Sequence, residues 1–214
     1  MANLTPEEIL RGIIDGTLTS FESDALQSIG GYKMREHNKV QEFIAPNLKE
    51  QYGQEVFRGA ASLKKVNWPS WNPTNANYTQ NTFYWCIGME TAVLPSFTKN
   101  LHSYVFRSDS KLEKVDMAIS SFSGHQAFDQ ASLFKTLVLR KSDAVCTLGN
   151  LNNFGSSPFA SNGTGGTLYC PQNLISQYQS ATNWSTILSY PNNQILPIEG
   201  SEYEHYYVDG TPIE

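Results

Sequence analysis

The sequence predicts an α/β repeat fold: a solenoid of about five rungs of 22–26 residues with short parallel strands, closed by a helix at each end. Three observations lead there. A four-slot apolar pattern recurs as Met34, Val40, Phe43 and Ala45; Phe57, Leu63, Val66 and Trp68; Phe83, Met89, Ala92 and Leu94; Phe106, Leu112, Val115 and Met117; Phe128, Phe134, Leu137 and Leu139. Intervals of six, three and two residues within a copy suit neither one helix nor one alternating strand, whereas copies 22–26 residues apart fall in the range of stacked repeats. Further columns keep register. Pro46, Pro69 and Pro95 follow the last slot, each with an apolar residue two places on (Leu48, Trp71, Phe97), and Ile29, Tyr52, Tyr78 and Leu101 stand five residues before the first slot.

Composition permits such a core. The chain has 214 residues, 40% of them hydrophobic, which is enough to bury a real interior. A formal net charge of −5 gives no basic footprint, so nucleic acid is not an expected partner. Cys86, Cys146 and Cys170 are an odd number without CxxC spacing and are read as reduced. The start, "MANLTPEEIL", has neither the basic segment nor the apolar run of a secretory signal, and no stretch approaches the ~18 apolar residues of a membrane span.

Residues 1–23 read as an N-terminal helix and cap: Thr5 as N-cap, Pro6 at the first helical position, Glu8 completing a capping box and Gly16 near the stop. Such a cover shields the apolar end and the open strand edge of a first rung, with "TLTSFES" as an incomplete first strand. Residues 24–141 carry the repeats, the last three slots of each entering one short inward-facing strand. The insertion "NPTNANYTQN" stretches the third repeat and is expected to make the stack bulge. After Lys141 the register is lost, and residues 142–198 read as a C-terminal capping module in which Leu174, Tyr178, Ala181 and Trp184 stand at helical spacing between Pro171 and Pro191. The acidic stretch 199–214, with an Asp209-Gly210 turn signal, admits three readings: a small hairpin, a disordered tail or a docking peptide.

Written as aromatic, a small residue or Cys three places on, Leu, Val, apolar, Pro, the columns resemble the BspA-type leucine-rich repeat, most clearly at Phe83, Cys86, Met89 and Pro95. The blocks "LVLRKSDAVCTLGNLNNF" and "LYCPQNLISQYQSATNWSTI" resemble the terminal module of such repeat proteins in tailed bacteriophages and prophages. That resemblance implies a non-enzymatic virion structural or accessory protein of tail, baseplate or head. It would be made in the host cytoplasm and carried on the particle, in multiple copies set by particle symmetry. The alternative is a cell-associated repeat adhesin or protein-interaction scaffold. Expected partners are other virion proteins and a host cell-surface protein or glycan, without nucleic acid or membrane insertion.

Catalytic chemistry finds no constellation to rest on. His37, His102, His125 and His205 are scattered without metal-ligand spacing, "GTGG" at 163–166 lacks the context of a phosphate loop, and no GxSxG is present. No cofactor, metal or catalytic residue is therefore assigned. Binding is easier to motivate. The position after the first-slot aromatic holds Arg35, Arg58, Tyr84, Arg107 and Asp129, and its three arginines and tyrosine are residue types suited to protein hot spots and to glycan or acidic contacts. Lys64, Lys65 and Lys114 fall on strand positions expected to face outward, and Trp71 and Trp85, near the long third repeat, are candidates for partner contact with core packing as the alternative.

Overall fold

The computed structural model describes residues 16, 19–37 and 39–213; apart from Gly16, the helix expected near the N-terminus falls outside them. The strands, in chain order, are β1 (Ser20–Glu22), β2 (Ser28–Gly30), β3 (Glu42–Ile44), β4 (Glu50–Tyr52), β5 (Lys65–Asn67), β6 (Thr91–Leu94), β7 (Asn100–Leu101), β8 (Lys114–Met117), β9 (Ser121–Phe122), β10 (Thr136–Leu139), β11 (Thr147–Leu148), β12 (Thr167–Cys170) and β13 (Gln194–Pro197). Eight of them form one sheet in the order β1-β3-β5-β6-β8-β10-β12-β13, every neighbour parallel. One register row runs Phe21, Phe43, Val66, Ala92, Val115, Leu137, Leu168 and Ile195. This is the ladder of like residues that the slots require, and it buries what one rung cannot.

Behind the sheet the first-slot aromatics stack. Ring centroids lie 6.0 Å apart for Phe57–Phe83, 5.4 Å for Phe83–Phe106, 5.5 Å for Phe106–Phe128 and 5.7 Å for Phe128–Phe154. All are fully buried, and each such ring contributes about 1.5–3 kcal/mol only because neighbouring rungs cover it. On the far side, short strands pair as β2-β4 and as β7-β9-β11.

Two expectations need correction. The stretched third repeat does not bulge the main sheet, since Lys65 pairs with Thr91 and Val66 with Ala92 in unbroken register. Its excess residues form a 3₁₀ turn, Ala76–Thr79, on the opposite side, where the smaller ladder divides in two. Buried Gln51 bridges that break, its amide donating to the Thr82 hydroxyl at 2.9 Å and to the Gly53 carbonyl at 3.0 Å. Nor does the sheet end at Lys141 after about five rungs. Phe128 N–H donates to the Asn153 carbonyl just as Phe106 N–H donates to Ala127, so Phe154 is the next first-slot aromatic. A longer loop then delays β12, and β13 follows.

Between β12 and β13 lie a 3₁₀ turn, Gln172–Leu174, and two short helices, α1 (Ile175–Ser180) and α2 (Trp184–Ser189). The helical spacing of Tyr178 and Trp184 therefore spans a break, at Asn183 with φ 64°. Both side chains are buried and bind the outer edge of the small ladder. Trp184 Nε1 donates to the Cys146 carbonyl at 2.6 Å, and Cys146 N–H donates to the Tyr178 hydroxyl at 2.9 Å. Backbone groups left by the last rung thus find partners in side chains.

Candidate functional site

The repeats generate two long surfaces. The first is the outer face of the main sheet, where alternation points Lys65, Asn67, Thr91, Val93, Lys114 and Asp116 away from the core. Lys64 and Lys65 are exposed as expected. Further along, however, Val93, Asp116 and Val138 are buried, because residues 198–213 fold back over them and pack Ile198, Tyr203 and Val208 on top. Of the three readings of the acidic stretch, the structure shows a small turn bridged antiparallel between Tyr206 and Pro212 and docked on its own sheet.

Arg140 anchors that segment. Its guanidinium meets Asp116 through two bonds of 2.6 Å and donates to the Tyr203 carbonyl at 2.9 Å and the Tyr206 carbonyl at 3.0 Å. Burial pushes the Asp116 carboxyl up to about 6, although Arg140 pulls in the opposite direction. Lys114 faces outward but is half-buried beneath this segment, its ammonium 6.0 Å from the Tyr203 ring centre. A groove of about 500 Å³ remains between the folded-back segment and β3/β5, with Asn67 donating across it to Asp209 and Thr211, each at 3.1 Å.

The second surface is the return edge, where the chain re-enters each rung through a tight turn. Tyr32, Glu55, Asn81, Tyr104 and Gln126 form one column of left-handed residues, and Glu36, Gly59, Trp85, Ser108 and Gln130 form another. Non-glycine residues rarely adopt φ near +60°. Here the backbone is held by rung-to-rung bonds such as Gly59 N–H to the Tyr84 carbonyl (2.8 Å) and Trp85 N–H to the Arg107 carbonyl (2.9 Å).

The arginine column falls on this edge. Arg58 and Arg107 lie on the Tyr84 ring at 5.3 and 5.9 Å, and Arg107 also faces Tyr104 at 5.5 Å. Each guanidinium has a carboxylate as well: Arg35 to Glu36 (3.3 Å) and Glu55 (3.4 Å), Arg58 to Glu55 (3.0 Å), and Arg107 to Asp129 (3.2 Å). The sequence suggests a stripe of arginines and a tyrosine; the structure makes it a charge-balanced ladder, in which Asp129, the last member of the same column, is the partner of Arg107, and Glu55 is the residue that the sequence reading missed. Its signal was present, an acidic residue close to an arginine rung.

The two tryptophans part company. Trp71 is fully buried, 5.7 Å from Trp68 and 4.9 Å from Phe97, so it is a core residue and not a contact candidate. Trp85 is 59% exposed at φ 69° beside exposed Ile87. Its turn is braced from the next rung by Asp109, buried in the column of small residues, whose carboxylate oxygen accepts Cys86 N–H at 2.7 Å and lies against Trp85 N–H. Burial drives the Asp109 carboxyl well above the usual carboxylate range.

All three cysteines are unpaired and buried. Burial raises the thiols of Cys86 and Cys146 far above their ordinary value and that of Cys170 to about 12, so none is poised as a thiolate. Among the described residues, no three His, Cys, Asp or Glu side chains cluster as metal ligands, and no helix is long and apolar enough to cross a membrane. A family model described as BspA type leucine rich repeat region matches residues 17–135, in six copies. No curated protein matches the chain.

Proposed function

The chain belongs to the BspA-type leucine-rich repeat family, and from that premise we propose that it is a non-enzymatic docking or adhesion protein of a bacteriophage virion, making its contacts through the return edge. Repeats of this family point to protein interaction or adhesion, and the family is typically non-enzymatic. The observation that carries the surface assignment is the Arg58–Tyr84–Arg107 stack beside exposed Trp85 and Ile87. Arg, Tyr and Trp are the side chains richest in binding energy per contact, and here the stacked rungs hold them in place before a partner arrives, so little ordering entropy remains to be lost.

The virion assignment is supported by the likeness of residues 137–154 and 168–187 to the terminal module of phage repeat proteins. Particle symmetry would present many copies, and avidity would strengthen a weak single site. Mass spectrometry of purified particles from an induced culture of the source bacterium is the test. The expected result is this chain in particles at a fixed ratio to other virion proteins. Recovery only from the soluble lysate would overturn the virion role and leave the cell-associated adhesin or scaffold.

A further inference from the structure

In the second left-handed column, Glu36, Gly59 and Trp85 occupy consecutive rungs, and the middle one has no side chain. At about 4.8 Å per rung, the flanking residues stand roughly 9–10 Å apart. The missing side chain opens a notch of about 310 Å³, floored by Gly59 and Ala61 and walled by Trp85 and Ile87 on one side and Glu36 and Arg58 on the other. A carbon–carbon contact distance of about 3.5–4 Å on the indole face leaves room for a single ring. Gly59 takes φ 72° without strain, and a Cβ there would meet Glu36 Cγ at 3.2 Å and fill the floor of the notch.

The chemistry of the walls narrows the occupant. The indole face is a flat apolar platform, carried on a backbone turn that Asp109 and the Arg107 carbonyl brace through the Trp85 and Cys86 N–H groups. Opposite it, Arg35, Arg58, Glu36 and Glu55 are two guanidiniums and two carboxylates already paired with one another, so the notch carries no net charge to favour an ion. What remains is a platform for C–H groups facing charged groups able to accept from and donate to hydroxyls. We propose that this notch binds one neutral pyranose unit of a surface glycan, its C–H face on Trp85 and its hydroxyls on Glu36 and Arg58. The inference rests on the adhesion reading and names the partner class at that surface.

The test is an array of immobilised oligosaccharides ending in neutral hexoses or N-acetylhexosamines, with sialylated and sulfated ones alongside, probed with the labelled full chain clustered on streptavidin beads. Retention on neutral saccharides is expected, falling at least about tenfold for Trp85→Ala. Trp85→Gly, which accepts the left-handed backbone, should lose binding equally while melting like the parent, and Gln130→Ala in the same column should bind unchanged. Absence of binding to any neutral saccharide, equal binding by Trp85→Gly, or preference for the acidic saccharides would each overturn the proposal. Enzymatic removal of glycans from the target cells separates this from the wider reading. Adhesion that survives it sinks the sugar and keeps the adhesion function; array binding without adhesion to cells does the reverse.

Discussion

The outer sheet face from β6 to β10 and the return edge are built by the same rungs, yet one is covered from within the chain and the other is left to solvent. On the sheet face, Val93 and Val138 are apolar and Asp116 is a charge between them, and the folded-back segment supplies Ile198, Tyr203 and Val208 to cover all three. On the return edge the charges satisfy one another, and Trp85 remains 59% exposed. The contrast teaches how to read a variable column in a repeat protein. An apolar residue in an outward slot asks for a cover, and when the chain provides one the face is closed to partners; an aromatic held outward on a braced turn with no such cover is available to them.

Damaging what both surfaces share should have the largest effect. Phe106 stacks between Phe83 and Phe128 beneath both, and Phe106→Ala should cost about 3–5 kcal/mol in denaturant unfolding. Arg140→Ala attacks the sheet face alone. It strands the buried Asp116 carboxyl and frees the Tyr203 and Tyr206 carbonyls, which should cost about 2–4 kcal/mol and make residues 199–213 sensitive to protease; the lower end applies because Asp116 can take up a proton.

The pH dependence sharpens the same contrast. With the Asp116 carboxyl raised from 3.8 to about 6, the folded chain keeps a proton in that interval which the unfolded chain releases. This group's contribution to stability is therefore full below 3.8, falls as pH rises through the interval and levels off above 6. Carboxyl carbon NMR should show the titration near 6 in the full chain and lower after truncation before Glu199, because the cover that desolvates Asp116 is gone. At the small end, Lys64→Ala on the open part of the sheet face should change stability by less than about 0.5 kcal/mol.

Much of this was legible in the sequence, for a physical reason: core slots must repeat because each rung packs on the next, so Phe57, Phe83, Phe106 and Phe128 announce their column. The column continues at Phe154 but was lost to a fixed-spacing template, because the loop before β12 is longer than its predecessors and moves Leu168 out of step. Trp71 admits both a contact and a core reading from sequence, and its register with Leu48 and Phe97, both core, is the signal that decides for the core. The left-handed columns were illegible, since Tyr32, Glu55, Asn81, Tyr104 and Gln126 share no chemistry; rung-to-rung backbone bonds impose their conformation. The folded-back segment has no periodicity either, and its signal lay in its target: Val93 and Val138, apolar in slots meant for solvent.

Hydroxyl-radical footprinting of the full chain, read residue by residue by mass spectrometry, tests the division between closed and open surfaces most directly. The account predicts rapid oxidation of Trp85 and strong protection of Tyr203, with Trp68 and Trp71 as buried references. Tyr203 reacting as fast as Trp85, or Trp85 as slowly as Trp71, would contradict it.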